Sequence, residues 1–477
     1  PTYVQTSAGL FLSESVINYK IGALGSEANV TIDLNNTISG SLNVISINLD
    51  SPEFNQTNTC VGAIASNSSC QITLSFNPKT VGLHHAKLQV NSDDVFDQNI
   101  TMHLVGRGYL ADVPLIYADI NRSFASGKHQ HLFGWGEMDG ANGFVSPDYN
   151  ATNDVNYTAR IAKIGLTDIV DMDSGLNHTV LLDKDGDVWT FGTDVNDVGL
   201  LGQGNDSNSS TALQISNLHG IIEVAVGNET SYALDENGSV WAWGVNDKNQ
   251  TGMLGGSFKT PTKIPGLFSI LHIDAGHNFA IAIDDIGDVY SWGKSVNGEL
   301  GTGAIALQHP DEKPTRITQF ATILKISVGN THVLALDKDG DIWAWGSNSN
   351  LELGRSGAAD GLPTLMSSFG NVVDIEADYL SSFAILDDGT LRSWGSKLRG
   401  ALGNGISSGS TQTPFTVPVN KIKAVSANYH HVLAVDENGT IHAWGANDAY
   451  QVEGLHNSDY LEPFETLFGV PEIETSA

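Results

Sequence analysis

The feature that most constrains this chain is a stretch of twenty residues, SVGNTHVLALDKDGDIWAWG at 327–346, that recurs without a gap. The other copies begin at Asp173, Ala225, Asp274, Glu376 and Ser426, and a degenerate seventh ends in LFGWG at 132–136. Each copy reads as a β-hairpin: an apolar run (Val333 to Leu336), a turn (Asp337 to Gly340), a second apolar run (Ile342 to Trp345) and a closing Gly. The aligned aromatics are Trp135, Phe191, Trp243, Trp292, Trp345, Trp394 and Trp444, spaced 49 to 56 residues apart. Strand-like units at such a period form a propeller or a solenoid, and no segment has the periodicity of a helical repeat.

Position 14 of the unit is Gly in all six full copies, and Asp or Asn precedes it in five. Asp-Gly and Asn-Gly accept the positive φ of a tight hairpin. Position 3 is Gly in four copies, Asp378 in the fifth and Asn428 in the sixth. Those residue types tolerate a left-handed backbone, so a positive φ is expected there as well. The closing aromatic–Gly pair is expected to pack on the next unit. Loops with a Leu-Gly step follow, such as GELGTG at 298–303 and GALGNG at 400–405, and then Pro-containing segments suited to an outer strand.

Together, the G-x-x-x-x-x-A-L-x-x-x-G-x-V-x-x-W-G pattern and the x-N-x-x-G-x-L-G that follows resemble the regulator-of-chromosome-condensation repeat family. The resemblance implies a seven-bladed β-propeller over 126–469, with LEPFETLF at 461–468 lending a strand to the first blade, and a tail at 470–477. Residues 1–108 lack the repeat and all nine Trp. They alternate in short strands broken by Gly, Asn and Pro, as in an all-β sandwich. Ile72, Leu74 and Phe76 should share one core face. Cys60, Cys70, Phe76-Asn77-Pro78, Gly82 and Leu104-Val105-Gly106-Arg107-Gly108 resemble Ig-like domains of the Hydin and choice-of-anchor type, which serve as spacers or interaction modules. The expected fold is all-β: an N-terminal Ig-like β-sandwich, a linker at 109–125 and the propeller.

Charge narrows the partners. With 23 basic and 54 acidic residues the net charge is −31, which disfavours nucleic acid, whose phosphates need Lys and Arg, and anionic membranes. No apolar window is long enough for a transmembrane helix. The chain starts at Pro1 without a leader, as a processed or partial sequence does. Cys60 and Cys70 are the only cysteines; they read as a disulfide of an oxidising compartment, against the alternative of two buried thiols. Asn-x-Ser/Thr occurs fifteen times. Asn177, Asn228, Asn237 and Asn438 lie inside the repeat, where Asn can serve a turn. Asn29, Asn35, Asn55, Asn67, Asn99, Asn121, Asn150, Asn156, Asn205, Asn208 and Asn249 are the glycosylation candidates, against plain richness in Asn, Ser and Thr.

Nothing in the sequence carries catalysis. DKDGD at 183–187 and 337–341 has the Asp content of a calcium loop but not the ligand spacing or the closing Glu, so it reads as a charged turn. GISSG at 405–409 lacks the strand and helix of a nucleophile elbow. His84-His85, His129/His131 and His430-His431 read as surface or core histidines rather than metal ligands. The Trp residues read as blade core rather than a sugar platform. No cofactor or metal is expected. The expected function is a non-catalytic extracellular structural or adhesive protein at the cell surface, a repeating subunit of a filament or layer whose propeller loops bind proteins, including copies of itself. The alternative is a soluble secreted binding or inhibitor propeller that grips a partner enzyme.

Overall fold

The structure is a computed structural model that describes residues 9–466, apart from 15, 24, 80–81, 95–97, 110–113, 127–130, 137–161, 195–196, 206–207, 304–312, 319–321, 367–368 and 453–457. It separates into two compact units, 1–111 and 112–477.

In the first unit a four-stranded sheet (Leu10–Leu12, Ala28–Asn36, Ser68–Phe76, Phe54–Asn58) and a five-stranded sheet (Val16–Ala23, Asn99–Tyr109, Gly82–Ser92, Leu42–Leu49, Gly62–Ile64) contribute to one apolar core. Ile72, Leu74 and Phe76 all point into it, as alternation requires. Phe76 stacks on Phe54 with centroids 4.7 Å apart. Its ring also lies on Gly106, where a Cβ would stand 2.6 Å from it. The Phe-Asn-Pro and Leu-Val-Gly-Arg-Gly motifs are therefore two halves of one contact. Cys60 and Cys70 are joined.

The second unit contains seven four-stranded antiparallel sheets, or blades, spanning 116–167, 169–214, 221–263, 270–317, 323–365, 372–416 and 422–465. The repeat supplies the middle of each. In the fifth blade His332–Asp337 pairs with Ile342–Gly346, setting Val333 opposite Trp345. These are the second and third strands; the first, Ile323–Val328, precedes most of the twenty-residue unit. First strands of successive blades pack together from the second blade to the seventh, and the first blade packs on the seventh, joining Ile116, Ala118 and Trp135 to Leu433 and Val435.

Local chemistry explains the hairpin. Asp337 Oδ1 accepts the N–H groups of Asp339 and Asp341, and Oδ2 accepts the indole N–H of Trp343 at 2.9 Å. Asp183 with Trp189 and Asp235 with Trp241 repeat this. The acids of DKDGD hold a turn, and all six position-14 glycines have φ between 73° and 84°.

Four expectations are corrected. The position-3 glycines do not have positive φ; they are small because the next blade is close. A Cβ on Gly175, Gly227, Gly276 or Gly329 would lie 2.4 to 2.7 Å from the carbonyl oxygen of the corresponding residue one blade on. The closing Trp packs on the preceding blade rather than the next: the indoles of Trp243, Trp292, Trp345, Trp394 and Trp444 donate to Leu200, Gln250, Glu299, Glu352 and Ala401 carbonyls. Within the stretch read as linker, Ile116–Ala118 and Arg122–Ser126 are the first two strands of the first blade; in sequence, Gln130 stands where the other copies carry the position-14 Gly. Tyr460–Glu465 pairs with Ile441–Gly445 and completes the seventh blade, not the first. The first and seventh blades are instead tied by Trp135, whose indole donates to the Gln451 carbonyl, and by the Ala118 N–H on Ser426 Oγ.

Candidate functional site

Two surfaces of the propeller unit differ in how strictly they repeat. The inner strands carry a polar belt at position 1 of the repeat. Asp173, Asp274, Ser327, Glu376 and Ser426 each accept a backbone N–H from the adjoining blade, at Val226, Val328, Ala377, Ala427 and Ala118. Where position 1 is Ala225, Glu223 two residues earlier accepts the Ile273 N–H, as Asp171 accepts that of Val224. In the first blade Tyr117 OH accepts the Ser174 N–H and bonds Asp173. Burial pushes Asp274 up to about 6 and Glu376 up to about 8, against the pull of His272 on the first and Lys325 on the second. Lys325 is paired with Asp374. Each of these acids has a structural task. The polar residue at position 1 in five of six copies was the available sequence signal for it.

A second matched set lies between second strands. His178, His332 and His431 are fully buried, and each faces a Ser of the adjoining blade: Ser231, Ser382 and Ser123, at 2.7 to 3.0 Å. Ser382 and Ser123 donate their single proton to the Glu352 and Gln451 carbonyls, so the imidazole Nε2–H is the donor toward Ser. Burial holds His178 and His332 at about 4 and His431 at about 3, neutral under ordinary conditions.

The loops between first and second strands are where the copies diverge. In blades two to five they are laced by backbone bonds, Leu176 N–H to Asn228, Asn228 N–H to His277 and His277 N–H to Asn330, which the position-3 glycines permit. In blade six Asp378 takes that place and turns the Tyr379 N–H onto its own Oδ1. Asn428 follows in blade seven, and in blade one Asp119 bonds Arg122 inside the core. Tyr379, Tyr429 and His430 cluster with centroids 5.0 to 5.6 Å apart. Tyr429 and His430 hold φ of 46° and 75°, a strain that non-Gly residues seldom carry and that concentrates at functional loops. Arg399, in the loop after the third strand of blade six, bonds Asp448 and Asp459.

The other sequence candidates fall as follows. Asn29, Asn55, Asn67, Asn99, Asn205 and Asn208 are exposed, although Asn208 Oδ1 accepts the Asp194 N–H. Asn35 and Asn121 are half-buried; Asn249 is half-buried in a turn with φ 59°, followed by the buried Gln250 and Thr251. Asn150 and Asn156 lie outside the described residues, as does His129. Gly405 to Gly409 forms an exposed loop. Among the described residues no three His, Cys, Asp or Glu side chains are grouped to hold a metal ion, and no helix is long and apolar enough to cross a membrane.

Comparison with known proteins agrees with the blades. Models of the regulator of chromosome condensation (RCC1) repeat match 237–283 and 287–336, and, for a second model, 221–250, 270–299, 323–351 and 422–451. The ultraviolet-B receptor UVR8 of Arabidopsis thaliana is 30% identical over 310 residues, 63% of this chain and 58% of that protein. The E3 ubiquitin-protein ligase HERC2 of Homo sapiens is 32% identical over 192 residues, 39% of this chain but 4% of its own length. The chain thus spans less than two thirds of these relatives. In structure, yeast RCC1 (Prp20), seen bound to Kap60, has a TM-score of 0.60 at 26% identity, over 70% of this chain and 83% of that one. The chain therefore carries RCC1 repeats, folded as RCC1-like propeller blades.

Proposed function

We propose that this protein is a non-catalytic partner-binding protein of the cell exterior, in which a seven-bladed propeller presents its diverging loops and an N-terminal Ig-like module of the Hydin or choice-of-anchor type acts as spacer. One observation carries the reading: the loops of blades six and seven lack the backbone lacing of blades two to five and gather Tyr379, Tyr429 and His430 instead, with the Tyr429 ring exposed. The Cys60–Cys70 link, the exposed sequons and the acidic balance favour an oxidising exterior over a nucleic-acid partner. Self-association into a filament or surface layer fits a repeated, rigid frame. Intact mass of the native chain together with electron microscopy of the same material tests both parts. Added hexose mass and ordered assemblies support the reading; an unmodified, dispersed monomer overturns the structural role. A stoichiometric partner on that monomer would favour the second reading, a soluble binding or inhibitor propeller.

A further inference from the structure

Four apolar side chains stand open to solvent at the hairpin-turn end of blades four to six. The first strand bulges at its second residue in blades two to seven, where the pairing skips Val170, Ile222, Leu271, Leu324, Val373 and Lys423. A bulge re-aims the skipped side chain. Lys423 shows that the fold accepts a charge at this place, yet Leu324 is 61% exposed and Val373 47%. Ile286 takes the turn position that Asp or Asn holds in the other five full copies, and is 59% exposed. Phe268, 77% exposed, stands where the corresponding connections of other blades have His219, Gly370 and Asn420. Core packing therefore does not account for these four residues. Three of them adjoin through the backbone. The Asp285 N–H bonds the Ser269 carbonyl at 2.9 Å, with Phe268 and Ile286 each one residue from that bond. The Ile323 N–H bonds the Gly287 carbonyl at 3.3 Å, with Leu324 and Ile286 each one residue from it.

We propose that this patch docks a basic segment of a partner protein, whose apolar residues sit on Phe268, Ile286 and Leu324 with Lys or Arg around them. Single exposed apolar residues are ordinary, but a contiguous group with a polar rim marks an interaction site. The rim fixes the sign of the partner. The hairpin turns at 284–288, 337–341 and 387–390 hold eight acidic residues and one basic residue, Lys338. Lys338 is paired with Asp339, and Arg316 and Lys325 of adjoining strands are paired with Asp288 and Asp374. A cationic segment thus meets complementary charge at the rim and apolar contact at the centre. The same acids oppose an anionic membrane and repel the same face of a second copy. The diverging loops lie at the opposite ends of the same strands, so this inference goes beyond the loop-binding reading and does not rest on it.

The test titrates the full chain, by fluorescence anisotropy at low salt, with a capped, labelled peptide of alternating Leu and Lys. Two controls replace every Lys by Glu or every Leu by Ser. The double variant Phe268→Asn/Ile286→Asn borrows the residues found at Asn420 and Asn237 of other copies, so its melting temperature should match that of wild type. Wild type should bind the Leu/Lys peptide about tenfold more tightly than the double variant does, and about tenfold more tightly than it binds either control. Leu324→Ser, at the bulge, decides the matter if the double variant fails to fold, and should weaken binding several-fold. Ile45→Asn, at an equally exposed side chain of the first unit, should leave binding unchanged. Equal binding by wild type and the double variant, or of the Lys and Glu peptides, overturns the proposal. So does a sedimenting dimer that the double variant abolishes, which assigns the patch to a second copy. Uptake on phosphatidylcholine vesicles that the double variant abolishes assigns it to a lipid surface and overturns the proposal as well.

Discussion

Replacing His332 by Gln isolates one buried proton-binding site. Gln places an amide N–H where the imidazole donates to Ser382 Oγ and cannot titrate. An unfolded histidine titrates near 6.5, and burial holds His332 at about 4. Because the folded value is the lower one, the unfolded chain takes up the proton first as pH falls. The native state is at its full advantage above about pH 7 and loses it between about 6.5 and 4. At pH 5 the unfolded state is favoured by about 2 kcal/mol through this group, rising to about 3.4 kcal/mol below pH 4. Asp274 and Glu376 act in the opposite sense, since their folded values are raised and acidification favours the folded form. The wild-type pH profile therefore mixes both, and only the difference between two proteins is diagnostic. Urea unfolding of wild type and His332→Gln at pH 7.5 and 5.0, followed by Trp fluorescence, gives that difference. Wild type should lose about 2 kcal/mol more than the variant on acidification. Equal losses would show that His332 is not held neutral by the interface, and the assignment of the His–Ser pairs would fall with it.

Other expected outcomes are simpler. Gly329→Ala puts a Cβ 2.4 Å from the Asp378 carbonyl, and should cost about 3 kcal/mol in urea unfolding; Gly357→Ala, with φ 121° and open space around it, should cost about 1 kcal/mol. Asp337→Ala removes two turn bonds and the Trp343 anchor, and should cost about 2 kcal/mol with a red-shifted Trp emission. Replacing Cys60 and Cys70 together by Ser opens a loop of separation 10. It should lower the stability of the first unit by about 3 kcal/mol, read by hydrogen exchange of the Ser68–Phe76 amides, with the propeller amides unchanged.

What could be read in the sequence was what depends on neighbours along the chain. The Asp-Gly turns, the alternation of Ile72, Leu74 and Phe76, and the period of the closing Trp are local signals, and the structure has them where they were expected. What involves two blades was misread. A conserved-looking Gly at position 3 fits a positive φ or a close approach equally well in one dimension, and only the distance to Gly227 or Asp378 separates them. Trp345 reaches back to Glu299, and nothing in the order of residues says back rather than forward. The first blade was shortened to a linker because Asp119 and Gln130 stand where the motif has its glycines. The cluster of Tyr379, Tyr429 and His430 was visible only as two copies in which Gly was missing and, in one, His was doubled.

The His–Ser pairs have a consequence for how the chain avoids error. His178, His332 and His431 each meet a Ser, whereas Phe279 meets Val333 in an apolar contact. The blades look alike in outline but carry complementary keys on facing sides. A blade seated beside the wrong neighbour would set an imidazole against Val or Ala and leave its N–H unbonded in the core, at a cost of about 1–3 kcal/mol for each mismatch. The faces thus restrict which of the near-identical repeats can sit side by side. A permutation that merely moves the chain ends should fold, whereas a rearrangement that sets His178, His332 or His431 against an apolar neighbour should not.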